Sequence, residues 1–349
     1  MSDPSVELLV QELATLQGHC LIIADENWQG VAWSSVAFSG TADRQLVSNR
    51  YEIALAAEQA GVPTAFTDFD FSNLTPASFD TVLFRVSKER AVSHHVINSA
   101  SILLKAGGVL ILSGEKTDGV KTYTGHACQL FADKCQPHKR GNYYVAHITK
   151  HAGNQTLLDA KDYANLRPIK GPEDMPLQSK PGIFGWNKID QGSAFLILHL
   201  GNFLASMPNP PQTLLDLGCG YGYLSCAAAQ QGVKQIFATD NNAAALQACA
   251  ANFAALKISG TVIAGDAGSQ INDRFDTILC NPPFHQGFHI ESELTDKFLC
   301  ASKRLLAPHG RALFVVNNFI ALEKKARDYF PKVAELARSG SFKLIMLSS

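Results

Sequence analysis

The sequence predicts an α/β protein in which one parallel-sheet fold occurs twice in tandem, and three observations predict it. Strand-like and helix-like stretches alternate through the first half: Cys20 to Ala24, Tyr51 to Ala60, Thr81 to Phe84, Val92 to Leu104 and Val109 to Leu112. Three stretches of the first half recur, in the same order, about 200 residues later, a separation that fits whole domains rather than a solenoid. Phe79-Asp80-Thr81-Val82-Leu83 recurs from Phe275, the stretch from Leu103 recurs from Leu305, and the stretch from Gly141 recurs from Gly340. Finally, Thr213 to Tyr223, T-L-L-D-L-G-C-G-Y-G-Y, reads as a buried strand, a tight glycine loop and the start of a helix.

A chain of 349 residues is long enough for two domains, each with its own core. The expected division is residues 1–150, a linker and lid over 151–193, and residues 194–349. No apolar run approaches a membrane span, and the first residues lack a basic signal-like start, so a cytoplasmic protein without a membrane partner is expected. Eight cysteines form no C-x-x-C pair and read as small buried residues, with no metal site expected. A net charge of −1 gives no compositional sign of nucleic-acid binding, so any basic face must be local.

In chain order, the first strand-like run, L-I-I-A-D-E-N-W, meets acidic and bulky residues where a cofactor loop needs glycine. Asp159 to Pro181, rich in Pro, Gly and charge, breaks the periodicity as a linker does. P-G-I-F-G-W-N-K-I-D-Q-G-S follows, expected to be an entry segment with Phe184, Asp190 and Gly192 as its contributors, and Asp190 or Ser193 caps the next helix. The loop glycines Gly218, Gly220 and Gly222 let a ligand approach the backbone at a helix N-terminus, with Asp216 beside them. The dinucleotide fingerprint fails at Tyr223, which argues against NAD and a dehydrogenase. Asp240 ends the next strand, where an acid can accept from both ribose hydroxyls, and Asp266, followed by Ala267, ends the one after, placed to accept from an adenine amino group.

The following strand ends in Asn281-Pro282-Pro283-Phe284. Two prolines surrender backbone donors and force extended geometry on the residues before them, leaving carbonyls for a pocket. An exocyclic base amine is a poor nucleophile because its lone pair is delocalised into the ring. Acceptors at Asn281 and Pro282 for its two hydrogens would favour a pyramidal nitrogen, while Phe284 stacks on the base. The first-half counterpart, Arg85-Val86-Ser87-Lys88, cannot present these acceptors. His285 and His289 have a metal-compatible spacing and no third ligand.

D-L-G-C-G-Y-G, A-T-D, G-D-A and N-P-P-F, in this order, resemble the class I S-adenosyl-L-methionine-dependent methyltransferases acting on amino groups. With P-G-I-F-x5-D-Q-G-S before them and a degenerate first copy, nearly the whole chain resembles the bacterial 16S rRNA guanine-N2 methyltransferase C family. The large-subunit, 23S rRNA, guanine-N2 methyltransferase G family shares this architecture. The resemblance implies two tandem class I (Rossmann-like) folds, the first degenerate and the second catalytic. It also implies S-adenosyl-L-methionine as cofactor and rRNA within the 30S subunit, or an assembly intermediate, as partner of a monomer. Asp216, which in methyltransferases orients the amino acid part of the cofactor, joins the cofactor set; for the first domain the family implies a supporting role, with Lys134, Lys139 and Arg140 as phosphate contacts. Methylation of adenine or of protein glutamine, and a non-catalytic ribosome assembly factor, are the competing expectations. The pre-fold G-W-N-K-I-D departs from the family's usual residues.

Overall fold

Two seven-stranded sheets with the same strand order account for the repeat. The protein, seen in a computed structural model, is described over residues 3–38, 43–151, 156–172, 175–283 and 288–349, without the side chains of 38 and 288–292. The chain divides into two units, Met1–Asn165 and Leu166–Ser349, so the division falls inside the stretch expected to be a linker.

The first unit holds β1 (His19–Ala24), β2 (Asp43–Ser48), β3 (Thr64–Phe66), β4 (Phe79–Arg85), β5 (Leu104–Glu115), β6 (His138–Arg140) and β7 (Tyr143–Thr149). Its helices are α1 (Pro4–Leu13), α2 (Trp33–Phe38), α3 (Tyr51–Gln59), α4 (Arg90–Leu103) and α5 (Val120–Phe131). The strand order is β3-β2-β1-β4-β5-β7-β6. Helix α1 was not foreseen; Asp3 caps it, Pro4 starts it, and Val6, Leu9 and Leu13 form its buried stripe.

The second unit begins with the short pair β8 (Arg167–Pro168) and β9 (Gln178–Ser179). The main sheet follows: β10 (Thr213–Leu217), β11 (Gln235–Asp240), β12 (Gly260–Ala264), β13 (Phe275–Cys280), β14 (Leu306–Asn317), β15 (Lys332–Arg338) and β16 (Phe342–Ser348). Its helices are α6 (Gln191–Ala205), α7 (Tyr223–Gln230), α8 (Ala243–Ala255), α9 (Phe288–Leu305) and α10 (Leu322–Ala326). The order β12-β11-β10-β13-β14-β16-β15 reproduces that of the first unit, with β16 antiparallel to β14 as β7 is to β5.

The recurring F-D pair has a physical job in both units. Asp80 Oδ2 accepts the His19 N–H at 2.8 Å, and Asp276 Oδ2 accepts the Gln212 and Thr213 N–H groups at 2.9 and 3.0 Å. Each carboxylate ties the start of the central strand to its neighbour, and each unit shows the same register irregularity just after the pair's phenylalanine. The central strands are nearly continuous apolar runs because helices cover both faces of the sheet. In the second unit the strand order reverses between β10 and β13, so the C-terminal ends of those strands form the crevice where open α/β sheets bind ligands.

Candidate active site

The glycine loop takes a backbone that side chains disfavour. Gly218, Gly220 and Gly222 have φ of +82°, +54° and +84°. At Gly222 a Cβ would lie 2.7 Å from Cys249 Sγ, so packing against α8 also requires glycine there. The Gly218 and Cys219 N–H groups donate to the Thr239 carbonyl at 2.9 and 3.0 Å, and the Gly220 N–H donates to Asp240 Oδ2 at 2.9 Å. Asp240 also accepts the Asn242 N–H through Oδ1 at 2.9 Å, so one carboxylate couples the glycine loop to the turn that starts α8.

Asp216 is fully buried on β10. Its Oδ2 accepts the Ser225 N–H and hydroxyl at 3.0 and 2.7 Å, while Oδ1 has no hydrogen-bond partner among the described residues. Burial pushes its carboxyl up to about 7, against the Ser225 hydrogen bonds, and the negative charge of Asp240 adds to the rise. An orphaned carboxylate oxygen beside a glycine cradle fits a ligand that brings its own donors or positive charge.

The segment before α6 is fastened to this loop. Asn252 of α8 accepts the Gln178 N–H and donates to the Gln178 and Tyr221 carbonyls, and Asn242 Nδ2 donates to the Gly182 carbonyl at 2.8 Å. Ile183 is buried next to Gly220, while Phe184 is 57% exposed.

Asp190 is where the sequence-predicted entry segment meets the N-P-P-F turn. It caps α6 by accepting the Ser193 N–H at 2.8 Å, and the same Oδ2 accepts from Asn281 Nδ2 at 2.8 Å. The second Nδ2 hydrogen of Asn281 goes to Ser193 Oγ at 2.8 Å. Both donors of the amide are therefore spent on α6, a carboxylate can only accept, and the orientation of the amide follows: Oδ1 is the face left for another molecule. Asn281 Oδ1 has no partner among the described residues. Gly192 lies in the first turn of α6, where a Cβ would crowd Phe342 at 3.1 Å.

The family model of the methyltransferase small domain matches residues 174–346. That stretch is nearly all of the second unit. The chain is similar to the "Ribosomal RNA small subunit methyltransferase C" of Shewanella pealeana, 28% identical over 273 residues that cover 77% of each chain. It resembles the protein of the same description from Citrobacter koseri to the same degree, over 77% of this chain and 75% of that one. The T. thermophilus 16S rRNA N2 G1207 methyltransferase, solved in complex with AdoMet and guanosine, has the same fold: a TM-score of 0.83 at 21% identity, covering 99% of this chain and 92% of the other.

Within the stretch that the family model matches, Asp266 opens a 3₁₀ turn at the end of β12 and is ion-paired with Lys297 of α9, and Ala267 beside it has a left-handed φ of +46°. Pro282 is buried and Pro283 exposed; Phe284 and His285 lie outside the described residues, as does the His289 side chain. The structure thus gathers Asp190, Gly192, Asp216, the three loop glycines, Asp240, Asp266 and Asn281 along one sheet edge. Sequence reasoning missed Ser193 and Ser225 as partners of Asn281 and Asp216, because nothing in their local spacing announces contacts that depend on tertiary packing.

In the first unit the equivalent positions are filled by its own side chains. Ile22 stands where β10 has Asp216, counting from the clasped start of each central strand, and a 3₁₀ turn, Glu26–Trp28, replaces the glycine loop. Trp28 is fully buried, and Glu26 is ion-paired with Arg50 at 2.8 Å. Arg85, the counterpart of Asn281, is buried and bonded to Asp3 at 3.0 Å and Asp118 at 2.8 Å.

Proposed function

We propose that this protein transfers a methyl group from S-adenosyl-L-methionine to the exocyclic N2 amine of a guanine in 16S rRNA of the small ribosomal subunit. The observation that carries the reading is the fixed amide of Asn281, whose donors are consumed by Asp190 and Ser193. An acceptor held in place beside a cofactor loop is what an amine with two hydrogens needs. The curated relatives described as small-subunit rRNA methyltransferases, and the relative solved with AdoMet and guanosine, support the same chemistry.

S-adenosyl-L-methionine, when bound, supplies an electrophilic methyl group on its sulfonium sulfur. Gly218, Gly220 and Gly222 form the cradle for it, Asp216 offers the unpartnered oxygen, and Asp240 and Asp266 are the acceptors for its ribose and adenine. Ala267 lines the adenine side, while Asp190 and Gly192 close the site from α6. Asn281 Oδ1 and the Pro282 carbonyl accept the two amine hydrogens, which turns the nitrogen lone pair out of conjugation and toward the methyl group. Pro282 and Pro283 bring no competing N–H, and Phe284 stacks on the base. As the N–C bond forms and the S–C bond breaks, the nitrogen gains a positive charge and sheds its proton to water, so no strong base is required. The first unit, its own site filled, serves as a scaffold that helps hold the RNA. One chain carries every assigned residue, so a monomer in the cytoplasm, acting on the 30S subunit or its precursor, suffices.

Transfer of labelled methyl to separated 30S and 50S subunits lacking guanine-N2 methylation tests the reading. N2-methylguanosine in 16S rRNA is expected. Label only in 23S rRNA, in adenine or in protein would overturn it.

A further inference from the structure

Phe319 is 70% exposed, yet the turn that carries it is pinned on both sides. The Ile320 N–H donates to the Asn317 carbonyl at 3.0 Å, closing a turn with Asn318 and Phe319 at its centre. Asn318 donates its N–H to the Ser341 carbonyl and its Nδ2 hydrogens to the Ser339 and Gly340 carbonyls at 2.9 and 3.1 Å. Ile320 and Leu322 are buried beneath. The ring is thus held in water on a fixed base.

The register shows where it stands. Cys280 pairs with Phe314, so Asn281 is level with Val315, and β14 ends two residues later at Asn317. At about 3.3 Å per residue the turn lies roughly 7 Å beyond the Asn281 level, on the edge that carries the candidate site. The cations on this side are Lys324, Lys325, Arg327 and Arg338, of which Lys325 is paired with Asp296; Lys332 lies opposite Ser348 at the far end of the sheet, and Lys343 is buried and paired with Glu323. Lys324 is exposed and has no ion-pair partner among the described residues. Arg338 Nη1 reaches Asn318 Oδ1 at 3.4 Å, and its ion pair with Glu335 is a surface pair of little net worth that a phosphate can replace.

We infer that Phe319 is a stacking platform for an unpaired RNA base next to the target guanine, with Lys324 and Arg338 meeting the adjoining phosphates. The inference rests on the rRNA reading. Bringing a guanine amine to Asn281 takes the base out of its stack and leaves its neighbour without a stacking partner, and an aromatic ring at the rim replaces that partner without reading sequence.

The test compares the full-length wild type with Phe319→Ala, Phe319→Leu and Phe319→Trp in methyl transfer to undermethylated 30S subunits. Phe319→Ala is expected to raise the KM for the subunit by about 5- to 150-fold, the range for removing a base-stacking aromatic ring, with kcat and cofactor affinity unchanged. Phe319→Trp is expected to keep the wild-type KM, and Phe319→Leu to behave like Phe319→Ala. Equal KM values in an active wild type and Phe319→Ala, or full function in Phe319→Leu, would overturn the platform and leave the rRNA reading standing. A wild type that binds cofactor but methylates neither subunit would overturn both.

Discussion

Replacing Asn281 by aspartate tests whether Asp190 sets the orientation of the amide proposed to hold the substrate amine. In the native site the Asn281 Nδ2 donates to Asp190 Oδ2 at 2.8 Å. Asn281→Asp puts a second carboxylate oxygen at that place. Two unit charges about 2.8 Å apart repel by about 6 kcal/mol at an effective dielectric of about 20, equivalent to about four pH units. The pair therefore retains one shared proton well above the ordinary carboxylate range and titrates as a unit. While the proton is shared, the introduced group still bonds to Asp190 and presents one oxygen to the substrate, so the variant is active. Once the proton leaves, the carboxylates separate and alignment is lost, so kcat is expected to fall about tenfold per pH unit above about pH 8, where the wild type is flat. Adding Asp190→Asn restores an N–H between the two groups with donor and acceptor exchanged, and is expected to abolish the new pH dependence. Single-turnover rates between about pH 6 and about pH 9 decide it, with cofactor affinity as the control. A pH-independent loss in Asn281→Asp, or a double variant no different from the single one, would refute the positioning role.

Three further outcomes follow from the same geometry. Asp240→Ala removes the acceptor of the Gly220 and Asn242 N–H groups as well as the proposed ribose contact, so the cofactor Kd should rise at least tenfold, or about 1.4 kcal/mol, with kcat at saturating cofactor less affected; calorimetry showing unchanged affinity would remove Asp240 from the site. Gly222→Ala combines a left-handed φ with a Cβ 2.7 Å from Cys249 Sγ, whereas Gly232→Ala has a similar φ of +87° and open space. The first should lose about 1–3 kcal/mol more than the second in thermal denaturation, and equal losses would contradict the packing argument. Because burial raises the Asp216 carboxyl from 3.8 to about 7, the folded state binds its proton more tightly than the unfolded chain, and this group's contribution to stability falls as pH rises from about 4 to about 7. The ceiling is about 4 kcal/mol, so urea midpoints of the cofactor-free protein should decline less over that range in Asp216→Asn than in the wild type; parallel curves would contradict it.

How much was legible in the sequence depended on whether the reason for a residue was local. Gly218, Gly220 and Gly222 could be read because the positive φ they adopt is a property of the loop itself. The F-D repeat could be read because Asp80 and Asp276 do the same job at the same place in two copies of the fold. N-P-P-F could be read because proline acts on its own backbone. Asp190 was legible as a cap and as part of the entry segment, but its contact with Asn281, 91 residues away, depends on α6 lying beside the end of β13. The first unit read as a fold lacking a loop, while the reason its site stays shut, Trp28 and the ion pairs of Arg50 and Arg85, is visible only in space. V-V-N-N-F-I likewise reads as the end of a strand, and the pinned turn that exposes Phe319 rests on acceptors in the turn before β16.

The central claim, an Asn281-dependent guanine-N2 methylation of 16S rRNA, is tested most directly by nucleoside mass spectrometry of rRNA from cells lacking this protein. Loss of part of the N2-methylguanosine of 16S rRNA is expected, restored by the wild-type chain and not by Asn281→Ala. An unchanged 16S content, a loss confined to 23S rRNA, or full restoration by Asn281→Ala would contradict it.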